Sequence, residues 1–199
     1  MLKMEPSART LAELLAQVGR AAYCISSGDD LTPAQWMALR YFSHANRFSR
    51  TASAFADYHA TTRGTASQTI KRLVEQGYLM RTPSARDGRS VLLELTKKGR
   101  GALLDDPLGA LECSVGGIPR RTRANMTRWL ERVLEHLASE RGGRLFGTCP
   151  SCRYLEVDSS GVEGKHTRRC GLFDEPLQPE ELERICVNFA PMTRIQPTP

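Results

Sequence analysis

The sequence has little from which to build an active site. It shows no paired carboxylates, no Ser-His-Asp set, no glycine-rich phosphate loop and no dinucleotide fingerprint. Its only histidines, His44, His59, His136 and His166, are scattered, and an open catalytic metal centre usually needs a mixed ligand set. The chain is therefore not expected to be an enzyme. Long apolar runs are missing as well: none approaches the ~18 residues of a membrane span, so no membrane partner is expected. The opening stretch MLKMEPSARTLAELLAQ lacks an apolar h-region and a cleavage site, which argues against a secretion signal and for a cytoplasmic location.

What is present suffices for a soluble fold. The 199 residues can hold one domain of ordinary size plus a small appendage. A hydrophobic content of 40 % supports a core, and 25 % charged residues is ordinary. The net charge of +6 is unevenly placed. Residues 47–100 carry eleven cations against four anions, a local excess of +7, whereas residues 1–46 are balanced and residues 149–199 are net −2. Concentrated positive charge of this kind is what neutralising a phosphate backbone requires.

That basic segment contains the stretch that organises the chain, TRGTASQTIKRLVEQGYLMRTPSARDGRSVLLEL from Thr62 to Leu95. Ala66, Ile70, Leu73 and Val74 fall at i, i+4, i+7 and i+8, the spacing of one helical face. Gly64, Thr65, Ser67, Gln68 and Lys71 occupy the opposite face, and Gly77 stands where a left-handed helix stop belongs. Tyr78–Thr82 then reads as a strand, Pro83–Gly88 as a turn and Ser90–Leu95 as a return strand. A helix followed by a β-hairpin with arginines at its tip is a winged helix-turn-helix, and it points to DNA.

The flanking segments read as helices. Arg9–Ile25 places Leu11, Leu14, Leu15, Val18 and Ala22 on one stripe. Thr32-Pro33 opens a second helix, and Thr51 a third that runs through Phe55. After Leu95-Thr96 a helix runs towards Leu111, its straightness limited by Pro107 and by Gly116-Gly117. Arg120–Arg141 forms a longer helix with Met126, Trp129, Leu130, Val133, Leu134 and Leu137 along one face.

The run GTASQTIKRLVEQGYLMRTPSARDGRSVLLELTKKG resembles the signature of the MarR family of winged-helix transcriptional regulators. The matching features are the small-and-hydroxyl helix from Gly64 to Leu73, Gly77, the wing motif Asp87-Gly88-Arg89, and Leu95-Thr96-Lys97-Lys98-Gly99. The resemblance covers roughly residues 8–140. It implies a homodimer, with the first and last two helices packed across a two-fold axis, although the same apolar stripes would also serve as core. A two-fold reader suits palindromic operators in double-stranded DNA. Arg63, Gly64, Thr65, Ser67, Gln68 and Lys71 are the candidate contacts of the recognition helix, with Gln68 suited to adenine and Lys71 to a phosphate. Arg86 and Arg89 are the wing candidates. The resemblance implies that one arginine enters the minor groove while Asp87 holds another; Arg86 is assigned the DNA contact and Arg89 the structural partnership.

After Gly142-Gly143 the composition changes. Cys149, Cys152, Cys170 and Cys186 place four of the six cysteines in about a quarter of the chain. In a reducing cytosol this clustering points to a metal or cluster rather than disulfides. Pro150 and Ser151 shape the C-x2-C knuckle, and Pro179–Leu182 reads as a short helix delivering Cys186. So small a segment has almost no core of its own, so a bound metal would supply its folding energy. Zinc and a [4Fe-4S] cluster both take four thiolates, and both stay open. Lys165, Arg168 and Arg169 are available to offset the negative charge. His166 is a solvated loop residue, and Cys24 and Cys113 stand apart from the cluster.

The expected architecture is mainly α with a small β-hairpin wing. A winged-helix and dimerisation domain spans residues 1–142, and a cysteine-rich tail spans residues 143–199. The expected function is a sequence-specific DNA-binding regulator, a homodimeric repressor whose DNA affinity is set by the four-cysteine site. The alternative is a regulator that responds to a small-molecule effector, with a purely structural zinc tail.

Overall fold

The computed structural model describes residues 7–22, 31–84, 86, 88, 90–158 and 167–192. The first helix, α1 (Ala8–Ala21), is capped by Ser7, whose hydroxyl accepts from the Thr10 amide at 3.1 Å. None of its helical residues is buried. Leu11, Leu14, Leu15 and Val18 form an exposed apolar stripe.

Helix α2 (Pro33–His44) starts with a complete capping box, Thr32 and Gln35 satisfying each other's backbone amides, with Pro33 at the position where a missing amide costs nothing. Its Trp36, Leu39, Tyr41 and Phe42 are buried, and they form the core with Phe55 of α3 (Ala52–Tyr58) and Ile70 and Leu73 of α4 (Arg63–Glu75). The turn between α3 and α4 carries Ala60 at φ 51°. Thr62 then caps α4. Helix α4 ends in a Schellman motif: the Gly77 amide donates to the Val74 carbonyl at 3.0 Å and the Tyr78 amide to Leu73 at 2.9 Å. Gly77 supplies the required left-handed backbone, at φ 75°.

Strands β1 (Leu79–Pro83) and β2 (Val91–Leu95) pair antiparallel with Leu79 opposite Leu95 and Pro83 opposite Val91. Alternation turns Leu93 and Leu95 into the core. The Leu93 amide donates to the Arg50 carbonyl at 2.8 Å, which ties the wing to the segment before α3. Thr96 caps α5 (Lys97–Ala102) and donates its hydroxyl back to the Gly77 carbonyl at 2.7 Å. Gly99 is buried there, where an added Cβ would collide with the Tyr78 carbonyl and approach Leu95 to 2.9 Å. The Leu-Thr-x-x-Gly sequence thus closes the wing for a steric reason.

The single helix expected after the wing is broken. Helix α5 gives way to a 3-10 turn at Leu103–Asp105, and α6 (Leu108–Gly116) begins only after Pro107. Proline disfavours helical backbone at the residue before it, and Asp106 serves instead as a junction, accepting from the Leu108 amide and from Arg40. Helix α7 (Arg120–Glu140) has no buried residue; Trp129 and Leu134 are each 65 % exposed. The apolar stripes of α1 and α7 are therefore not core of this chain. Among the described residues no helix is long and apolar enough to cross a membrane.

The tail contains a three-stranded antiparallel sheet, β3 (Leu155–Asp158), β4 (Thr167–Cys170) and β5 (Glu175–Pro176). The helix expected at Pro179–Leu182 is a single 3-10 turn, Pro179–Glu181. The tail does not stand away from the winged domain. Val187 is a member of the main core cluster, and Phe146 and Ile185 pack against it.

Candidate nucleic-acid interface and four-cysteine site

Helix α4 presents the face that the sequence predicts. Arg63, Gly64, Thr65, Ser67, Gln68 and Lys71 are all exposed, while Ala66, Ile70 and Leu73 anchor the opposite side. Thr65 is partly committed to local structure: its amide donates to the Thr62 hydroxyl at 3.1 Å and the two hydroxyls lie 2.9 Å apart. Among the described residues no side-chain hydrogen bond engages Ser67 or Gln68, which leaves the Gln68 side-chain amide open. Lys71 leans towards Glu75 at 3.8 Å across one helical turn, a weak exposed pair. An added Cβ at Gly64 would meet only Thr62 Oγ1, at 3.8 Å. This glycine answers no packing need of the chain and leaves the helix face open to close approach.

In the wing, Arg86 is exposed, with its guanidinium 4.1 Å from the centroid of the Phe173 ring. Asp87 and Arg89 lie outside the described residues, as do Cys24, Lys165 and His166. Not all the positive charge of residues 47–100 faces outwards. Arg47 is bound by Glu181, by Glu175 at 3.1 Å and by the Pro176 carbonyl at 2.7 Å. Arg50 donates to the Ala45 carbonyl at 3.2 Å and lies 3.5 Å from Glu94. These two cations hold the molecule together.

The four tail cysteines arrive from three places. Cys149 opens a 3-10 turn and accepts from the Cys152 amide at 2.9 Å, forming the expected knuckle. Cys170 ends β4, where it pairs with Leu155. Cys186 is placed by its amide, which donates to the Gly147 carbonyl at 2.9 Å, and by the neighbouring Ile185, bridged between the His44 carbonyl (2.8 Å) and the Asn46 amide (2.9 Å). All four line one cavity of about 20 Å³ together with Asn46, Phe48 and Phe173. Cys149, Cys152 and Cys186 are buried, Cys170 is half-buried, and all four are free thiols. Cys113 is exposed on α6, away from them.

Burial, followed by the charges of Cys186, Cys152, Cys170 and Glu181, pushes the Cys149 thiol up to about 11. Burial also raises Cys186, opposed by the neighbouring Asn46 side chain and Asn188 backbone, which favour its charged form. None of the groups acting on Cys149 is a cation. Of the cations expected to offset the charge of a filled site, Arg169 is paired with Asp174 and Arg168 is exposed. As they stand, no three or more His, Cys, Asp or Glu side chains among the described residues are arranged to hold a metal ion. The donor set nevertheless suits one. Four thiols converge on a single space without cross-linking, and the buried Asn46 Nδ2 lacks a geometrically formed hydrogen bond. A Cys186 thiolate is the acceptor that this amide lacks. Four thiols of this kind suit either a single zinc ion or a [4Fe-4S] cluster.

Residues 29–90 match the model of the MarR family. Three solved structures carry the comparison further. A MarR transcriptional regulator from Methanosarcina mazei Go1 is 21 % identical with a TM-score of 0.54, covering 66 % of this chain and 98 % of its own. Streptococcus pneumoniae FabT in complex with DNA is 22 % identical with a TM-score of 0.51, covering 67 % and 99 %. The S. aureus MepR–DNA complex is 18 % identical with a TM-score of 0.55, covering 66 % and 96 %. The body of the chain shares the winged-helix fold of these structures. At these identities the likeness is one of fold, and no curated protein matches the sequence.

Each neighbour is covered almost completely while about a third of this chain is left over. The tail grips the MarR-type domain through the loop between α2 and α3. Ser49, fully buried, accepts from the Val187 amide at 2.8 Å and donates to Asn46 Oδ1 at 2.7 Å. Arg184 donates to the Ser43 carbonyl at 3.2 Å, and Phe48 stacks on Phe173 with centroids 4.3 Å apart. Asn46, Arg47, Phe48 and Ser49 meet the tail, and sequence reasoning did not single them out. The available signal was a polar loop, Ala45-Asn46-Arg47-Phe48-Ser49, too short to expose yet carrying one unexplained aromatic.

Proposed function

We propose that this protein is a sequence-specific, DNA-binding transcriptional regulator, a repressor working as a homodimer, whose affinity for DNA is set by a metal held at Cys149, Cys152, Cys170 and Cys186. The observation that carries the reading is the exposed polar face of α4 on a MarR-type fold. The first turns of α4 enter the major groove, where Gln68 reads a base edge, Arg63, Thr65 and Ser67 contact bases or phosphates, and Lys71 neutralises a phosphate. Arg86 of the wing reaches the neighbouring minor groove, while Arg89 takes the structural partnership with Asp87. Two of the structural neighbours are themselves DNA complexes.

The exposed stripes of α1 and α7 support the dimer. Leu11, Leu14, Leu15 and Val18 together with Met126, Trp129, Leu130, Val133, Leu134 and Leu137 are each at least 40 % exposed, an arrangement that calls for a partner surface. A second copy offers the matching face, and two-fold symmetry then presents two recognition helices to a palindromic operator.

In the tail, the four thiolates would hold either a [4Fe-4S] cluster or zinc, and the bound group would supply folding energy to a segment with little core of its own. The second reading is a purely structural zinc ion, with a small-molecule effector as the signal. Visible absorption and metal analysis of anaerobically purified protein separate the two. A brown protein with iron and sulfide supports the sensor, and a colourless one with a single zinc supports the structural site. Gel shifts before and after metal removal or oxidation test the regulation. An unchanged shift with an intact fold would overturn it.

A further inference from the structure

We propose that Phe173 of the tail is a positioning residue for Arg86, so that the four-cysteine site acts on the wing of its own protomer. The inference rests on the DNA-binding reading and names a route for its regulation. Arg86 stacks on Phe173 at 4.1 Å, and Phe173 in turn lies on Phe48, with centroids 4.3 Å apart and planes 30° from parallel. Phe173 is fixed from the cysteine side: the Phe173 and Asp174 amides both donate to the Cys170 carbonyl, at 3.2 and 2.8 Å. Asp174 completes that tight turn at φ 58°. Both rings line the cavity of the four thiols. A wing arginine and a candidate metal ligand are thus separated by one aromatic ring.

The geometry favours presentation over sequestration. A phenyl ring offers no hydrogen-bond acceptor of its own, so the guanidinium over Phe173 keeps its N–H donors uncommitted. Arg86 remains exposed while stacked, so those donors stay available for phosphate or a groove edge. An exposed cation–π contact biases an equilibrium by only ~2–5-fold. That is too little to lock an arginine away, but it is a useful gain when the ordered rotamer is the one that binds. Disordering the tail removes Phe173 and returns Arg86 to free rotation.

The test uses the full-length chain purified with its metal retained, and a DNA duplex that this chain recovers from a random-sequence pool. Fluorescence anisotropy is measured for the wild type, Phe173→Leu, Phe173→Tyr, Arg86→Ala and the Phe173→Leu/Arg86→Ala double variant. Metal content and circular dichroism are checked in parallel. The expected result is a ~2–5-fold loss of affinity for Phe173→Leu, retention for Phe173→Tyr, and a double variant no weaker than Arg86→Ala alone. Chelator-treated wild type should bind like Phe173→Leu, and chelation should leave Arg86→Ala unchanged. If Phe173→Leu loses metal, the Phe173→Tyr comparison and the chelation response of Arg86→Ala decide alone. Wild-type affinity for Phe173→Leu alongside a weakened Arg86→Ala overturns the inference, as does tighter binding by Phe173→Leu. A pool that yields no bound duplex defeats the DNA-binding reading instead.

Discussion

Replacing Ser49 by alanine should loosen the tail from the winged domain at one defined point. Ser49 is fully buried, and its hydroxyl serves both sides, accepting from the Val187 amide and donating to Asn46 Oδ1. Alanine fits the space but orphans both partners. Val187 is itself buried, and the Asn46 Nδ2 already lacks a partner, so water reaches neither group easily. A buried polar group left without its hydrogen bond costs about 1–3 kcal/mol. Two such groups in contact, relieved in part by relaxation, give an expected loss of ~2–4 kcal/mol. Urea unfolding of Ser49→Ala against wild type measures the total, with the exposed Ser53→Ala as a control expected to stay within about 0.5 kcal/mol. Hydrogen exchange then locates the effect: protection of the Val187 amide should fall by about tenfold or more while amides in α4 fall only with global stability. A Ser49→Ala protein within about 0.5 kcal/mol of wild type, with Val187 still protected, would refute the claim that this hydroxyl pins the tail.

Gly99→Ala should cost at least ~1–3 kcal/mol, because the new methyl must displace the Tyr78 carbonyl or Leu95 at the base of the wing; thermal melting checks it, and a neutral result would mean that α5 shifts freely. His59 gives a pH dependence. Burial first, and then the Arg40 charge, hold its imidazole down at about 4, against a hydrogen bond to the Met37 backbone. The unfolded chain then binds the extra proton between about pH 4 and 6.5, so stability rises with pH across that window and is flat above it, by about 3 kcal/mol in all. His59→Phe, which keeps the contacts with Tyr41, Phe55 and Tyr58, should flatten that rise. On DNA, Gln68→Ala should weaken binding to the selected sequence by ~1–3 kcal/mol with little effect on scrambled DNA. Lys71→Ala should weaken both and reduce the salt slope by about one; equal losses for Gln68→Ala on both duplexes would remove its base-reading role.

The winged domain was legible because its signals are local. Thr62 and Gly77 each answer a backbone requirement within a few residues, and the period of Ala66, Ile70 and Leu73 separates core from solvent unaided. The break at Pro107 was visible as a limit on straightness, but its completeness depends on Asp106 finding Arg40, 66 residues away in sequence. The convergence of the cysteines followed from their clustering. What surrounds them did not, because it depends on contacts across more than 120 residues. Arg47 adds to the basic excess of the sequence, yet Glu175 and Glu181 lie beside it, and nothing near Arg86 in the sequence announces the Phe173 ring beneath it. A polar residue such as Ser49 carries no sequence sign of which distant amide it will meet.

The position of Val187 in the main core cluster bears on how the protein is made. The winged helix is built from residues 31–102, yet its core is sealed by a residue synthesised much later. During translation, at about 5–20 residues per second, the stretch from residue 142 to 187 takes roughly 2–9 seconds. Through that interval the nascent domain exposes the Asn46–Ser49 loop, with the Ser49 hydroxyl and the Asn46 amide still waiting for the amide of Val187 and the carbonyl of Ile185. Ribosome-bound chains stalled before Ile185 should therefore fold more loosely than released ones.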